Sequence, residues 1–247
     1  MIPYERHELI LGALQERDLL KIDELQALMP EVSISTLRRD LKELEKRGSI
    51  EYLAGGAVKL HGTSHEVSIS EKSALRSAEK DVIAQLAAAE VTDGDTVYID
   101  SGSSCTALLR LLLDRPVTIY TTNGAACSVM GQMRARLNVI GGEFNPETSS
   151  LTGPMTEGVL RDLYFDKAFI GVNAVDEDRG VMTPQYAEAV KKRLVRENSN
   201  VAYVLCDSSK FHQFSNVKVF DLSGVVLVSE RTDAKLGEHA RMLTPEK

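Results

Sequence analysis

The first 60 residues carry three helical patterns of apolar residues, followed by two strand-like runs. Helices are predicted over residues 4–17, from Ile22 to a stop at Pro30, and from Ser33 to Gly48. The two β-type runs cover 50–53 and 57–60, and the glycines between them permit a reverse turn. This order of elements predicts a winged helix-turn-helix.

Beyond residue 70 the pattern changes to an alternation of strands and helices. A helix is predicted over 71–90 and ends at the turn-forming Asp93-Gly94-Asp95. Strand-like and helical runs then alternate over 96–99, 105–113, 117–121, 125–133, 137–140, 168–172, 188–196, 201–206 and 225–228. Such alternation predicts an α/β fold, a mostly parallel sheet with helices on its faces. We therefore expect a winged helix-turn-helix at 1–62, a linker at 63–70 and a larger α/β domain at 71–247.

Composition and charge restrict the class of protein. Hydrophobic residues make up 43% and charged residues 26% of the chain, as in soluble globular proteins. The start lacks the apolar block of a signal peptide, no run is long enough to cross a membrane, and three widely spaced cysteines fit a reducing cytoplasm. The net charge of -7 argues against a generic nucleic-acid coat protein. Residues 1–62 hold nine Lys or Arg against eleven Asp or Glu, so any DNA contact must be local.

The third helix carries a candidate DNA-reading face. If its leucines at 37, 41 and 44 point inward, the opposite side presents hydroxyl and cationic side chains. The candidate residues are Ser33, Ser35, Thr36, Arg38, Arg39 and Lys42. Arginine forks pair with guanine, and lysines and hydroxyls contact phosphates. Considered alone, this pattern is more often that of an ordinary solvated amphipathic helix with surface arginines.

Two loops of the larger domain are candidate anion sites. Asp100-Ser101-Gly102-Ser103-Ser104 follows a strand and opens a helix, where free backbone amides favour an anion. Asp207-Ser208-Ser209-Lys210 also follows an apolar strand and adds an ammonium group. A plain βα turn and a capping turn are the alternatives. The five histidines form no metal-ligand spacing, so we expect no metal and no cofactor.

The segment from Arg6 to Val58 resembles the N-terminal domain of the DeoR family of sugar-metabolism regulators. The matching positions include Arg6, Ile10, Glu24-Leu25, the run from Ser33 to Leu41, Leu44, Gly48 and Gly55-Gly56-Ala57. Two departures are Ala54, where a histidine is usual, and Ile34-Ser35, where acidic residues are usual. They affect the expected wing contacts and the operator sequence.

Residues 71–229 resemble the effector domain of the same family, which shares its fold with ribose-5-phosphate isomerase and glucosamine-6-phosphate deaminase. Matching pieces include Glu79-Lys80, the loop at 100–104, Thr122-Asn123-Gly124, Gly141-Gly142-Glu143, Glu188-Ala189, Lys192 and the run from Asp207 to Phe211. The resemblance implies that Ser101, Gly102, Ser103, Ser104 and Lys210 hold a phosphate. It implies further effector contacts at Asp100, Thr122, Asn123, Gly141, Gly142, Asp176, Glu188, Lys192 and Asp207.

Together these features predict a DNA-binding repressor of sugar-metabolism genes that a phosphorylated sugar releases from its operator. One recognition helix contacts few base pairs, so we expect a homo-oligomer, a dimer or a tetramer. The alternative is a sugar-phosphate isomerase or deaminase-like enzyme, which needs a carboxylate base such as Asp100, Asp176 or Glu188. Asn173 and Lys192 stand where such isomerases carry further acids, so we expect no enzyme activity.

Overall fold

The computed structural model describes residues 2–17, 19–46, 49–53, 55–60, 69, 72, 75–129 and 131–245. The chain divides into two compact units, Met1–Val67 and Ser68–Lys247. The predicted linker at 63–70 lies, apart from Ile69, outside the described residues.

The first unit is a helical bundle with a small antiparallel sheet. Its elements are α1 (Pro3–Glu16), β1 (Leu20–Lys21), α2 (Ile22–Leu28), α3 (Ile34–Lys46), β2 (Ile50–Leu53) and β3 (Ala57–Leu60). The strand order is β1-β3-β2, so β2 and β3 form the predicted hairpin. The sequence prediction of a winged helix-turn-helix is confirmed.

The core of the first unit is built from the inner faces of the three helices. Leu37, Leu41 and Leu44 of α3 are buried, as their spacing predicts. Leu9 and Leu28 belong to the apolar patterns of α1 and α2, but both are exposed, Leu28 by 53%. Only part of an amphipathic helix can face so small a core, and these two residues lie at its margin.

The second unit contains a seven-stranded parallel sheet. Its elements are α4 (Ser77–Ala89), β4 (Thr96–Ile99), α5 (Ser103–Leu112), β5 (Thr118–Thr121), β6 (Arg136–Val139), β7 (Glu143–Asn145), β8 (Ser150–Thr152), α6 (Pro154–Arg161), β9 (Phe165–Gly171), β10 (Ala174–Asp176), β11 (Gly180–Thr183), α7 (Tyr186–Glu197), β12 (Ser199–Leu205), β13 (Val217–Phe220), β14 (Val225–Val228), α8 (Ala234–His239) and β15 (Arg241–Leu243). One-turn 3₁₀ helices occupy Gly124–Ser128 and Ser208–Lys210.

The strand order of the large sheet is β15-β14-β12-β9-β4-β5-β6, and all of its pairs are parallel. Alternate residues of each strand enter different cores: Tyr98 packs in one, whereas Val97 and Ile99 pack in the other. From β4 the chain order runs outward through β5 and β6, and from β9 it runs outward in the opposite direction. The point where this direction changes lies between β4 and β9, and such points form crevices at the carboxyl ends of strands.

Two predicted helices differ from the structure. The helix expected over 71–90 begins at Ser77, because Arg76 has a left-handed backbone conformation (φ 51°) that a helix cannot include. The helix expected over 125–133 is only the 3₁₀ turn Gly124–Ser128, which Asn123 caps by accepting the N–H of Ala125.

Candidate functional sites

The outer face of α3 is polar and open to solvent. Ser33, Ser35, Arg38, Arg39 and Lys42 are exposed, and Thr36 is half-buried. The hydroxyl of Ser33 accepts the backbone N–H of Thr36 at 3.2 Å, so it caps the helix as its residue type predicts. The candidate DNA-reading residues therefore share one accessible face.

A groove runs along this face between α3 and strand β2. Its lining consists of Ser35, Arg38, Arg39, Lys42, Glu45 and Tyr52. Glu45 accepts the backbone N–H of Tyr52 at 3.2 Å and so fixes β2 against the helix. With three cations and one carboxylate, the groove is locally cationic although the whole chain is acidic. Glu45 and Tyr52 were not predicted to line this face, because their position depends on how the hairpin of β2 and β3 packs against α3.

A buried ion pair connects α1 to α3. Arg6 Nε lies 2.6 Å from Asp40 Oδ2, and a second guanidinium nitrogen lies 3.0 Å from Oδ1. The side chains are 8% and 2% exposed, and Asp40 sits between the exposed Arg39 and the buried Leu41. A bidentate bond of this kind fixes direction as well as distance. It therefore holds the rotation of α3 that presents its arginines outward.

In the second unit, the loops after β4, β5, β6, β9 and β12 meet at the carboxyl edge of the sheet. They contribute polar or glycine residues at Asp100, Thr122-Asn123, Gly141-Gly142, Asn173 and Asp207. Gly171, at the end of β9, is closely packed: a Cβ there would come within 2.8 Å of the Ser101 carbonyl oxygen. The loop after β4 thus lies beside the crevice where the strand order changes direction.

Four charged side chains form a buried cluster at this edge, defined by Asp100, Glu188, Lys191 and Lys192. Lys191 Nζ lies 3.2 Å from Asp100 and 3.1 Å from Glu188, and Lys192 Nζ lies 2.5 Å and 3.0 Å from the same two carboxylates. The two lysines balance the two carboxylates in charge. Helical spacing explains the arrangement, because residues three and four positions after Glu188 return to its side of α7.

These contacts keep Glu188 and Lys192 ionised. Burial would raise the pKa of Glu188, but Lys191 and Lys192 outweigh it and hold that pKa well below its usual value. Burial would likewise lower the pKa of Lys192, but Asp100 and Glu188 raise it above its usual value. Glu188 is therefore a paired carboxylate at neutral pH and a poor proton acceptor.

Hydroxyl groups link the cluster to the loop after β4. Ser150 donates to Glu188 Oε1 at 2.6 Å and accepts from Lys191 at 2.7 Å. Ser101 donates to Ser150 at 2.9 Å, and Lys191 reaches the Ser101 hydroxyl at 3.4 Å. The hairpin of β7 and β8, the loop after β4 and helix α7 are thus joined through polar side chains.

The first turn of α5 contains a buried hydroxyl group, that of Ser104, without a hydrogen-bond partner among the described residues. Ser104 is 4% exposed. A buried polar group without a partner costs about 1–3 kcal/mol. Gly102 has a φ of 109°, and a Cβ built on it would meet nothing within 4 Å, so there is open space beside the helix N-terminus.

Thr122, Asn123 and Gly142, which were predicted from the resemblance, lie at the same edge of the sheet. Thr122 lies 2.7 Å from the Tyr98 hydroxyl, which also donates to Asp100 at 3.3 Å. Asn123 donates to the Asp100 carbonyl at 3.4 Å. Gly142 is required by close packing, because a Cβ there would lie 2.0 Å from the Thr156 hydroxyl. Burial and the charge of Asp100 raise the pKa of Tyr98 well above 10, so it remains a neutral hydroxyl.

Lys210 and Asp207 lie beyond the end of β12. The Lys210 ammonium is 3.5 Å from a carboxylate oxygen of Asp207. Burial and Asp100 raise the pKa of Cys105, in the first turn of α5, to about 12, while the charges of Lys192 and Lys210 act in the opposite direction. The Cys105 thiol therefore remains protonated at neutral pH.

Asp176 belongs to a different group of side chains. Its Oδ1 accepts the backbone N–H groups of Asp178 and Arg179, and within the described part of the chain no hydrogen bond or ion pair joins it to the buried cluster. Its carboxylate lies within 4.8 Å of ligand atoms of Glu177 and His212, a set that can hold a metal ion. Both ring nitrogens of His212 are instead engaged by carboxylates, Glu177 at 2.7 Å and Asp233 at 3.0 Å.

Two members of the site, Lys191 and Ser150, were not predicted from the sequence. Lys191 is 1% exposed and is paired with two carboxylates. Lysine is almost never buried without such partners. Its spacing from Glu188 was the available signal, since residues three apart on a helix are neighbours. Ser150 gave no signal, because it reaches the site through the β7–β8 hairpin.

A winged helix-turn-helix joined to a parallel α/β unit with a polar site at its strand-order change defines a DNA-binding regulator with a sensor domain. The model of the DeoR-like helix-turn-helix domain matches residues 6–63, and that of the DeoR C terminal sensor domain matches residues 75–230. The chain belongs to the DeoR family of transcriptional regulators. Among the part of the chain that the structure covers, no helix has the length and apolar character needed to cross a membrane.

Relatives match over most of the chain. An uncharacterized HTH-type transcriptional regulator FruR of Bacillus subtilis is 33% identical over 87% of this chain and 86% of its own length. A putative aga operon transcriptional repressor of Escherichia coli O157:H7 is 33% identical over 91% and 84%. The lactose phosphotransferase system repressor of Streptococcus mutans is 30% identical over 89% and 88%.

Among solved structures, ribose 5-phosphate isomerase A of Methanocaldococcus jannaschii covers 53% of each chain at 22% identity, with a TM-score of 0.39. The translation initiation factor eIF-2B of Pyrococcus horikoshii covers 85% of this chain and 73% of its own at 14% identity, with a TM-score of 0.45. Neither likeness is close enough to carry an argument about function.

Proposed function

We propose that this chain is a transcription repressor that binds operator DNA through the outer face of α3 and is released by a phosphorylated sugar bound at the carboxyl edge of the parallel sheet. The cationic groove beside α3 carries this proposal, because it concentrates three cations where the rest of the chain is acidic. Relatives named as repressors of the aga operon and of the lactose phosphotransferase system support a sugar signal.

In the proposed DNA complex, Arg38 and Arg39 enter the major groove and pair with guanine edges. Lys42 and the hydroxyl residues at 33, 35 and 36 contact phosphates and fix the position of the helix. One such helix reads only a few base pairs, so we propose a homo-oligomer that binds two half-sites. A protein of this function works in the cytoplasm, where its operator is.

In the proposed effector complex, the phosphate lies at the N-terminus of α5. The amides and hydroxyls of 101–104 and the ammonium of Lys210 surround it, and the Ser104 hydroxyl gains the partner that it lacks in the free protein. The buried cluster, Thr122, Asn123, Gly141 and Gly142 would surround the sugar hydroxyls. The cluster is charge-balanced, which suits neutral hydroxyl groups at this end of the ligand.

The DNA-binding half is tested by selecting bound sequences from random duplexes and measuring their affinity. Arg38→Ala and Arg39→Ala are each expected to weaken binding by about 1–3 kcal/mol and to relax specificity at one base pair. Arg17→Ala is the matched control, because Arg17 is an exposed arginine of the same unit whose partner is Glu24. Equal affinity of all three variants would contradict the assigned reading face.

The effector half is tested by thermal unfolding with a panel of phosphorylated sugars. A ligand that binds only the folded state raises apparent stability, by about 2.7 kcal/mol at 100 times its Kd. The ligand that stabilises the protein is then expected to lower operator affinity. Steady isomerisation of any member of the panel would instead identify an enzyme, which the paired state of Glu188 argues against.

A further inference from the structure

Ser150, the first residue of β8, uses the whole hydrogen-bonding capacity of its hydroxyl. The residue is fully buried. Its hydroxyl donates to Glu188 at 2.6 Å and accepts from Lys191 at 2.7 Å and from Ser101 at 2.9 Å. A hydroxyl has one proton and two lone pairs, a carboxylate only accepts and an ammonium only donates. The second lone pair of Ser150 therefore receives the proton of Ser101.

The proton of Ser101 is also the one that the proposed phosphate contact needs. A phosphate dianion offers only acceptor oxygens, so the Ser101 hydroxyl can bind it only by donating. A single proton cannot serve both Ser150 and the phosphate. A bound phosphate thus leaves a buried lone pair of Ser150 without its donor, which costs free energy unless Ser150 moves.

The turn of the β7–β8 hairpin, residues 146–149, contacts the beginning of the second compact unit. The carbonyl of Glu147 accepts the backbone N–H of Ile69 at 2.7 Å. This unit begins at Ser68, so Ile69 lies where the chain enters it. One hairpin therefore carries both the contact with the phosphate-binding loop, through Ser150, and the contact with the entering chain.

The conformation of this turn is imposed by its neighbours. Ser149 has a left-handed backbone (φ 51°), which residues other than glycine rarely adopt. The Thr148 hydroxyl is buried and has no hydrogen-bond partner in the part of the chain that the structure describes. Such costly arrangements persist only where surrounding contacts hold them, so the loss of one contact lets the turn relax and weakens the others. These contacts include the hydrogen bonds from Ile69 to Glu147, from Gly124 to the Ser149 carbonyl at 2.7 Å, and from Ser101 to Ser150.

We propose that the β7–β8 hairpin transmits the occupancy of the phosphate site to Ile69. A bound phosphate takes the proton of Ser101 from Ser150, the turn relaxes, and its hydrogen bond from Ile69 weakens. This regulation rests on the proposed function, because it requires a phosphate at Ser101. It gives the ligand a differential effect on the stretch that follows the DNA-binding unit in the sequence, which any ligand-controlled change requires.

Hydrogen–deuterium exchange of the full chain, resolved to the single amide of Ile69, tests this proposal. Inorganic phosphate is the probe, and chloride at equal ionic strength is the reference. In the wild type, phosphate is expected to slow amide exchange several-fold at 103–106, where it binds, and to speed exchange of the Ile69 amide several-fold.

Ser150→Ala removes the hydroxyl that accepts from Ser101. In this variant Ile69 is expected to exchange fast already in chloride and to show no further response to phosphate, while the response at 103–106 remains. Ser223→Ala is the matched control, because Ser223 is an exposed serine in the loop that precedes β14. It is expected to respond like the wild type at both positions.

The outcomes separate the two proposals. No phosphate response at 103–106 in the wild type would remove the proposed anion site and, with it, this regulation. A response at 103–106 with unchanged or slower exchange at Ile69 would overturn the role of the hairpin alone, as would a wild-type response at Ile69 in Ser150→Ala. Thermal unfolding checks that the variant is folded, and the wild-type measurement requires no variant.

Discussion

Replacing Asp40 with alanine is expected to destabilise the first compact unit while the stability of the second is unchanged. The change leaves the Arg6 guanidinium buried without its carboxylate, which now accepts from two of its nitrogens at 2.6 and 3.0 Å. It also removes the charge 3.6 Å from His7 Nε2, a buried nitrogen that has no hydrogen-bond partner in the described part of the chain. The substitution thus removes both carboxylate hydrogen bonds of the guanidinium and the carboxylate beside His7.

The magnitude follows from burial. Removing one partner of a buried pair costs about 3–5 kcal/mol, because the other charge remains buried. A unit of 67 residues is expected to have a free energy of unfolding of about 3–10 kcal/mol. The substitution is therefore expected to remove much of the free energy of unfolding of this unit. Operator affinity is expected to fall in proportion to the fraction of the unit that is folded.

Urea unfolding followed by circular dichroism at the helical band, beside operator binding at the same temperature, measures both effects. The double variant Arg6→Met with Asp40→Leu is expected to recover most of the stability, because apolar residues can replace a buried pair. Arg17→Ala is the control: its ion pair with Glu24 is largely exposed, at 62% and 38%, and is expected to contribute at most about 1 kcal/mol. A loss below about 1 kcal/mol in Asp40→Ala would refute the reasoning.

Three further substitutions test other parts of the structure. Ser104→Ala removes a buried hydroxyl without a partner, so we expect the free protein to gain about 1 kcal/mol by urea unfolding and to bind sugar phosphate more weakly. Lys191→Met leaves two buried carboxylates with one lysine, and a loss of about 3–5 kcal/mol is expected by the same method. For His212, burial opposes the charge, but Asp233 and Glu177 outweigh it and raise its pKa above 6.5. Its stabilisation is present below pH 6.5 and is lost as the pH rises through the raised value, so the deficit of His212→Gln is expected to be larger at acid than at alkaline pH.

Ser104→Ala and Lys191→Met each have a matched control at an exposed position. Ser128→Ala, at the end of the 3₁₀ turn, should leave stability unchanged. Lys218→Met removes a half-exposed ion pair and is expected to change stability by about 1 kcal/mol or less. A destabilised Ser104→Ala, a neutral Lys191→Met or a pH-independent deficit in His212→Gln would each contradict its prediction.

Apolar patterns predicted those helices and strands of both units that bury one face or are buried on both faces. The hairpin at 50–53 and 57–60 and the strand at 225–228 have the predicted bounds. The spacing of apolar residues gives no information on backbone dihedral angles. The left-handed conformation of Arg76, after which α4 begins, was therefore not predictable from it. The short β7–β8 and β10–β11 hairpins were missed, because three of their four strands have only three residues and carry too little periodicity.

The two candidate anion-binding loops were predicted from the sequence because each polar motif directly follows a predicted strand. The loop at 100–104 and Asp207–Lys210 lie at one sheet edge because parallel strands end there together. Lys191 was not predicted as part of a site, since lysine on an amphipathic helix ordinarily indicates a solvated face. Its burial depends in part on Asp100 and Ser150, which other elements supply. Such partners become visible only once the chain is folded.

The buried cluster also explains how a fold of this type can serve binding without proton transfer. A general base must gain a proton readily near neutral pH, yet Lys191 and Lys192 hold the pKa of Glu188 well below its usual value. Transfer of a substrate proton to Glu188 would remove the negative charge that both lysines contact. A carboxylate of the cluster can accept a hydrogen bond from a ligand hydroxyl while it remains ionised and paired with the lysines. Charge balance thus makes the edge of the sheet suitable for recognition and unsuitable for isomerisation.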